Sequence, residues 1–314
     1  MPKYWTEPEI NKLKELMGKT SFEEMTKQFA GRTKMALVHK ADKLGLSNTY
    51  RYRKHFFNID FWKTPNLVNS YFGGYAAADG YINHSSFVFS LATRDAVVLE
   101  KFKEVTDFTG NIRHYQRKNY KKETLKSVST LFINTVDHWR DDLKNNFGVI
   151  NKKTLILQPP NLTNELLILA YIIGYIDGDG WIILKKDNRP ILGVVSGSYD
   201  FIFWVKRVLD KYFPIGIRKD KGNKISQGTK LGEKKNCFYF VFSGSRAAKM
   251  IDFLRQFPIF KLDRKWNNPA ILARIEEMKQ QYPNFFILSP ELQNIKNQLL
   301  EYKNPSASTF SVTI

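Results

Sequence analysis

Two nine-residue segments one hundred positions apart, FGGYAAADG at 72–80 and IIGYIDGDG at 172–180, restrict what this chain can fold into more than any other feature. Each is an apolar run rich in small residues that closes on Asp-Gly. Self-similarity at a fixed period implies copies of one structural unit. Each copy then sets a carboxylate, Asp79 or Asp179, at the same structural point, and two equivalent carboxylates suggest a shared metal site.

The small residues indicate how the carboxylates could meet. Gly73, Gly74, Ala76, Ala77 and Ala78 in one segment, and Gly174 and Gly178 in the other, remove side-chain bulk where two helices must cross with backbones nearly touching. Such packing brings the Asp-Gly ends together. A carboxylate at a helix C-terminus lies in the negative end of the macrodipole, and a second one nearby adds repulsion, so neither is placed there for stability. A divalent cation removes both penalties. Hard oxygen ligands, with phosphate completing the coordination sphere, point to Mg²⁺ or Mn²⁺. Such a site can activate water and stabilise charge on the departing oxygen of a phosphodiester. The plainer alternative is two buried helices whose terminal Asp residues cap a turn. A calcium loop over Asp177-Gly-Asp179-Gly is excluded, because Trp181 holds the next ligand position and no acidic residue closes the loop.

Composition fits a globular chain with a polyanionic partner. Of 314 residues, 43% are hydrophobic and 14% aromatic, and 49 Lys and Arg against 30 Asp and Glu give a formal charge of +19. Nucleic acid is the partner this balance favours. A membrane is excluded by segment length, since the longest apolar run, Leu166 to Ile176, is well short of the roughly 20 residues a span requires. The N-terminus, MPKYWTEPEI, has no signal-peptide core. A single cysteine, Cys237, rules out an intramolecular disulfide and a thiolate zinc cluster. The expected location is intracellular and cytoplasmic.

Residues 1–48 read as three short helices. Thr6 and Glu9 form a capping box ahead of Ile10, Leu13, Leu16 and Met17; a second helix runs Ser21 to Phe29; a third runs Thr33 to Leu44 and stops at Gly45. The opening Trp-Thr, the GRT before the last helix and the closing KLGL resemble the Myb/SANT-like helix-turn-helix domains. That resemblance makes Thr33 to Leu44 the recognition helix, offering Arg32, Lys34, His39, Lys40 and Lys43 to DNA. Residues 49–62 are expected to be a basic, aromatic linker that lies along DNA or packs on the next domain.

From 63 onward the chain reads as two repeats, 63–158 and 164–275, joined by a linker at 159–163. After the first motif come strands Tyr81 to His84 and Phe87 to Ala92, a helix ending at Asp107, strands Asn111 to Lys118 and Lys126 to Asn134, and a helix from Asp137 to Asn146. After the second come Trp181 to Lys185, Pro190 to Val195, a helix from Ser198 to Tyr212, strands Ile215 to Lys219 and Cys237 to Phe242, and a helix from Arg246 to Phe257. Both segments, with this order after each, resemble the LAGLIDADG motif of homing endonucleases. The resemblance implies an α+β fold of two pseudo-symmetric αββαββα repeats with antiparallel DNA-binding sheets, behind a small all-α domain. It also implies a monomer, with Asp79 and Asp179 at the eighth motif position as catalytic metal ligands and Lys153 and Lys265 as basic partners. The sixth position is Asp177 in one motif and Ala77 in the other, a departure that concerns packing rather than chemistry. Residues 276–314 form an extension with no assigned role.

The strands supply a reading surface, since side chains alternate between faces. Tyr81 and Asn83, then Arg113, Tyr115 and Arg117, and in the second repeat Trp181, Lys185 and Arg218, are the expected DNA contacts. The function so implied is a site-specific, metal-dependent double-strand DNA endonuclease acting in intron homing. Two alternatives remain: a maturase that binds intron RNA with the same sheets, and a DNA-binding regulator of this fold without catalysis.

Overall fold

The computed structural model describes residues 4–17, 20–46, 55–119, 124–134, 136–214, 230–235 and 237–303. It separates into two compact units, Met1–His55 and Phe56–Ile314.

In the first unit, α1 (Glu7–Leu16) and α2 (Phe22–Gln28) each begin with a complete capping box, Thr6 with Glu9 and Ser21 with Glu24, and α3 (Lys34–Lys43) is capped by Thr33. These caps satisfy first-turn N–H groups that a short helix cannot leave bare. Leu13, Met25, Phe29, Leu37 and Ala41 form the core. Gly31 and Gly45 take the left-handed φ of +75° and +65° that the turns flanking α3 require.

The second unit contains two repeats of identical order. The first runs α4 (Leu67–Asp79), β1 (Gly80–Ile82), β2 (Ser86–Ala92), α5 (Val97–Val105), β3 (Arg113–Asn119), β4 (Thr124–Asn134) and α6 (Asp137–Phe147). The other runs α7 (Glu165–Asp179), β5 (Gly180–Leu184), β6 (Pro190–Ser196), α8 (Tyr199–Tyr212), β7 (Gly232–Lys234), β8 (Cys237–Ser243) and α9 (Gly244–Leu254). Their sheets are antiparallel and ordered alike, β1-β2-β4-β3 and β5-β6-β8-β7. The fold is therefore α+β with two αββαββα repeats, preceded in the chain by a tri-helical segment.

Helices α4 and α7 pack against each other at the centre, along a seam closed by glycine. A methyl carbon on Gly74 would lie 1.8 Å from the Tyr171 carbonyl oxygen, and one on Gly174 would lie 1.9 Å from that of Tyr71. The near-identity of these contacts is the pseudo-twofold relation of the repeats at atomic scale. Further along, a methyl on Gly178 would come within 2.3 Å of Ala78 Cβ. The aromatic core of the first repeat gathers around Trp62, Phe87, Phe102 and Trp139.

Three expectations change. Of the two expectations for the linker 49–62, its described part takes the packing one and joins the core: Phe57, Phe61 and Trp62 are buried, and Asn58 O accepts the Trp139 indole N–H at 3.0 Å. Its aromatic residues had an apolar surface to cover, which a linker along DNA does not. The strand expected at Ile215 to Lys219 falls outside the described residues, and β7, not anticipated from the sequence, pairs with β8. Third, the boundary at 275 cuts through a helix. After α10 (Asp263–Trp266) come α11 (Pro269–Gln281), α12 (Pro283–Phe286) and α13 (Pro290–Lys303). Leu292, Ile295 and Leu299 of α13 are buried, and the helix packs on α7, so the extension covers the second repeat's motif helix. Among the described residues, no helix is long and apolar enough to cross a membrane.

Candidate functional site

Asp79 and Asp179 end α4 and α7, and each following glycine, Gly80 or Gly180, donates its N–H back to the residue four earlier, Ala76 or Ile176. The tight seam holds these ends side by side. Asp79 Oδ2 stands 3.4 Å from where a methyl on Gly178 would be. Burial raises both carboxyls above their ordinary range, and the charge of Asp179 raises Asp79 further, to about 6. Charged together, the pair is under strain that a cation relieves.

Lys153 and Lys265 occupy equivalent places beneath the two helix ends. Lys153 Nζ donates to the carbonyls of Ala78 (3.2 Å) and Gly80 (2.6 Å). Lys265 Nζ donates to those of Ile176 (2.8 Å), Asp177 (2.6 Å) and Gly180 (2.7 Å). Carbonyls at a helix C-terminus carry the negative end of the dipole and keep free acceptor capacity, so an ammonium there answers both needs. Burial pulls both lysines down, Lys265 to about 8, while the neighbouring carboxylates hold them up. All three donors of Lys265 are engaged, so in this arrangement it contributes charge to the site rather than a free N–H.

The donor set fits a hydrated Mg²⁺-type ion. Among the described residues, no group of three or more His, Cys, Asp or Glu could hold a metal. Five backbone carbonyls around the two helix ends already accept from lysine. The protein thus offers two carboxylates, which matches the habit of Mg²⁺ to keep several waters and take its remaining ligands from phosphate.

Asp177, one turn-face away, belongs to the scaffold. Its Oδ2 accepts from Tyr71 O–H (2.8 Å) and Leu262 N–H (2.9 Å), and its Oδ1 from Trp266 Nε1–H (2.7 Å). Burial raises its carboxyl, and these bonds oppose the rise. A polar residue inside the apolar helix run was the signal in the sequence; its partners could not be read there.

The register of the first sheet puts several expected contacts on one face. Tyr81 pairs with Val88, Val88 with Phe132, Arg113 with Thr130, Tyr115 with Val128 and Arg117 with Lys126. Directly paired residues share a face, so Tyr81, Arg113, Tyr115 and Arg117 point the same way, and all are exposed. Lys126, Ser90 and Thr130 join them; sequence alternation could not add these without the pairing. Arg117 and Lys126 are like charges directly opposite each other, an arrangement that costs stability. Asn83 departs from the expectation. Its Oδ1 accepts from Ser85 N–H, Ser86 N–H and Ser86 Oγ, fixing the β1–β2 turn.

On the second sheet, Trp181 pairs with Gly193 and lies across it: a methyl there would come within 2.1 Å of the indole. Tyr239 covers Gly232 in the same manner. Lys185 is exposed one residue beyond β5, and Arg218 lies outside the described residues.

In the tri-helical unit, His39 and Lys43 are exposed on α3. Lys34 pairs with Glu23, and Lys40 Nζ stands 5.9 Å over the Trp5 ring. Arg32 corrects the expectation: its guanidinium is bound by Glu9 (3.0 and 2.8 Å) and the Tyr4 carbonyl (2.7 Å) and stacks 4.3 Å over Trp5. It holds the unit together instead of facing outward, and the same contact pulls Glu9 down to about 2.

No protein-family model matches the chain, and no curated protein matches it. Among solved structures, it is similar to the LAGLIDADG homing endonuclease I-GzeII in complex with its DNA target, at 13% identity over 74% of this chain and 97% of that one, with a TM-score of 0.43. The homing endonuclease I-WcaI bound to its DNA recognition sequence gives 15% identity over 75% and 97%, with a TM-score of 0.42. The N-terminal LAGLIDADG domain of DUF199/WhiA gives 13% over 67% and 86%, with a TM-score of 0.38.

Proposed function

We propose that this chain is a site-specific endonuclease that cuts both strands of double-stranded DNA as a monomer, with the tri-helical unit, read as a Myb/SANT-like helix-turn-helix, extending the contacted sequence. The observation that carries the reading is the pair of carboxylates, Asp79 and Asp179, brought together at two helix ends by a glycine seam and flanked by Lys153 and Lys265. Stability alone would not build this arrangement. The two sheets supply the surface for the duplex, through Tyr81, Arg113, Tyr115, Arg117 and Lys126 on one side and Trp181 and Lys185 on the other. His39, Lys40 and Lys43 of α3 supply groove contacts.

In this reading Asp79 and Asp179 hold Mg²⁺ or Mn²⁺, which when bound supplies charge stabilisation to the scissile phosphate and acidifies water. The chain's own residues do the rest. The crossing helices fix the two carboxylates, Lys153 and Lys265 compensate their charge when the ion is absent, and the sheets set the register of the duplex through phosphate and base-edge contacts.

The test is incubation of the full chain with the DNA sequence that flanks its own gene, joined without the insert, with and without Mg²⁺. Asp79→Asn and Asp179→Asn should each abolish double-strand cleavage and leave specific binding intact, since each removes metal-binding charge at constant volume. Cleavage of both strands by either variant at the wild-type rate would refute the two-carboxylate site. Tight DNA binding without cleavage under either metal would favour the regulator, and preference for intron RNA would favour the maturase.

A further inference from the structure

Asp177 stands in α7 where Ala77 stands in α4. It is 2% exposed, whereas Asp79 is exposed and Asp179 half-buried. A buried carboxylate is retained only where it is well bonded, and the partners of Asp177 are distributed in an informative way. Leu262 caps and Trp266 ends α10, the single turn that carries Lys265. Within that turn, Lys265 N–H and Trp266 N–H both bond the Leu262 carbonyl. From the opposite side, Asp95 of the first repeat grips Arg264 of the same turn with two bonds of 2.6 and 2.7 Å. The turn is thus clamped by carboxylates from both repeats, and the Lys265 ammonium is delivered onto three carbonyls at the end of α7. Among the described residues the first half of the site has no counterpart: alanine at 77 offers no side-chain bond, and Lys153 reaches two carbonyls from a short 3₁₀ turn.

We infer that Asp177 is a positioning residue for Lys265, with Asp95 bracing the same turn, so that one half of the site rests on a scaffold the other half lacks. Its consequence for cleavage rests on the nuclease reading; the placement of Lys265 does not.

The test is trace acetylation of the full chain with acetic anhydride, with the rates at Lys265 and Lys153 compared by peptide mass spectrometry. In Asp177→Asn, labelling of Lys265 should rise about tenfold, the scale on which losing a buried hydrogen-bond partner shifts a local opening equilibrium. Labelling of Lys153 should stay at its wild-type rate. Trp266→Phe, which removes one donor and keeps an aromatic ring, should move Lys265 in the same direction by less, and it serves should Asp177→Asn fail to fold. If the two lysines rise together, or neither rises in the folded variants, Asp177 is an ordinary core group and the inference fails. On target DNA, Asp177→Asn should accumulate nicked product because one strand is cut more slowly. Equal slowing of both strands would overturn the inference and leave the nuclease reading intact, whereas a wild-type chain that cuts no DNA would overturn that reading and leave the labelling result standing.

Discussion

At the residue scale, the carboxyls of the central site show a conflict between folding and function. Asp79 rises from the ordinary 3.8 to about 6 through burial and the nearby Asp179. A group with a raised folded value favours the folded state most below its unfolded value, and that advantage disappears as pH climbs through the folded value. For Asp79 the window therefore runs from about pH 4 to about pH 6, and above it the folded chain carries the full cost of ionisation. Asp79 is exposed, so solvent screening leaves only part of that cost to be felt. Asp79→Asn should accordingly melt several degrees higher than wild type at pH 8 without divalent ions, with the difference vanishing near pH 4. Mg²⁺ should raise the wild-type melting temperature by mass action and leave that of the variant unchanged. A variant melting below wild type at pH 8 would contradict the assigned cost. The positions of Asp79 and Asp179 were legible because the motif repeats in sequence. The inward turn of Arg32 and the use of Asn83 as a turn cap were not, since each depends on which acceptor or donor the fold brings near.

At the element scale, the α4–α7 seam decides everything above it. In an exposed helix, Gly→Ala gains about 1 kcal/mol from propensity. Here the added carbon would meet a backbone carbonyl at 1.8 or 1.9 Å, and backbone cannot swing aside as a side chain can. Overpacking commonly costs 1–3 kcal/mol, so Gly74→Ala and Gly174→Ala should each destabilise by about 2 kcal/mol or more in denaturant melts. Unchanged midpoints would show that the helices do not cross this closely. The helix and strand order of both repeats was legible from alternation and caps, because local pattern and fold agree there. The edge strand β7 was not, because three residues between lysines carry no period and are strand only through pairing with β8. Likewise, the joining of Lys126 to the Arg117 face comes from register, which the sequence does not contain.

At the scale of the whole molecule, two units with separate cores make a division that can be cut. A chain beginning at Phe56 retains the complete aromatic core and both sheets and should fold, cleave and bind a shorter target less tightly. Footprinting should lose protection on one side of the cut only; an unfolded truncation would show the units to be one. For the intact chain, with its formal charge of +19, log K should fall by about 0.9 for each phosphate contact per tenfold rise in salt. Arg117→Ala should flatten that slope by about one such contact, and an unchanged slope would take Arg117 off the interface. The domain count was legible from the repeat period, whereas the role of α11 and α13 was not, because their apolar faces match a surface of α7 and α9 that exists only after folding. The single alanine opposite an aspartate, Ala77 against Asp177, bears finally on recombination. The two halves have ceased to be interchangeable parts: a tandem of two first halves would have neither Asp177 nor α10, and a tandem of two second halves would carry α10 twice without the Asp95 that grips its arginine. Grafting halves between relatives of this architecture would succeed only when the receiving turn travels with its aspartate.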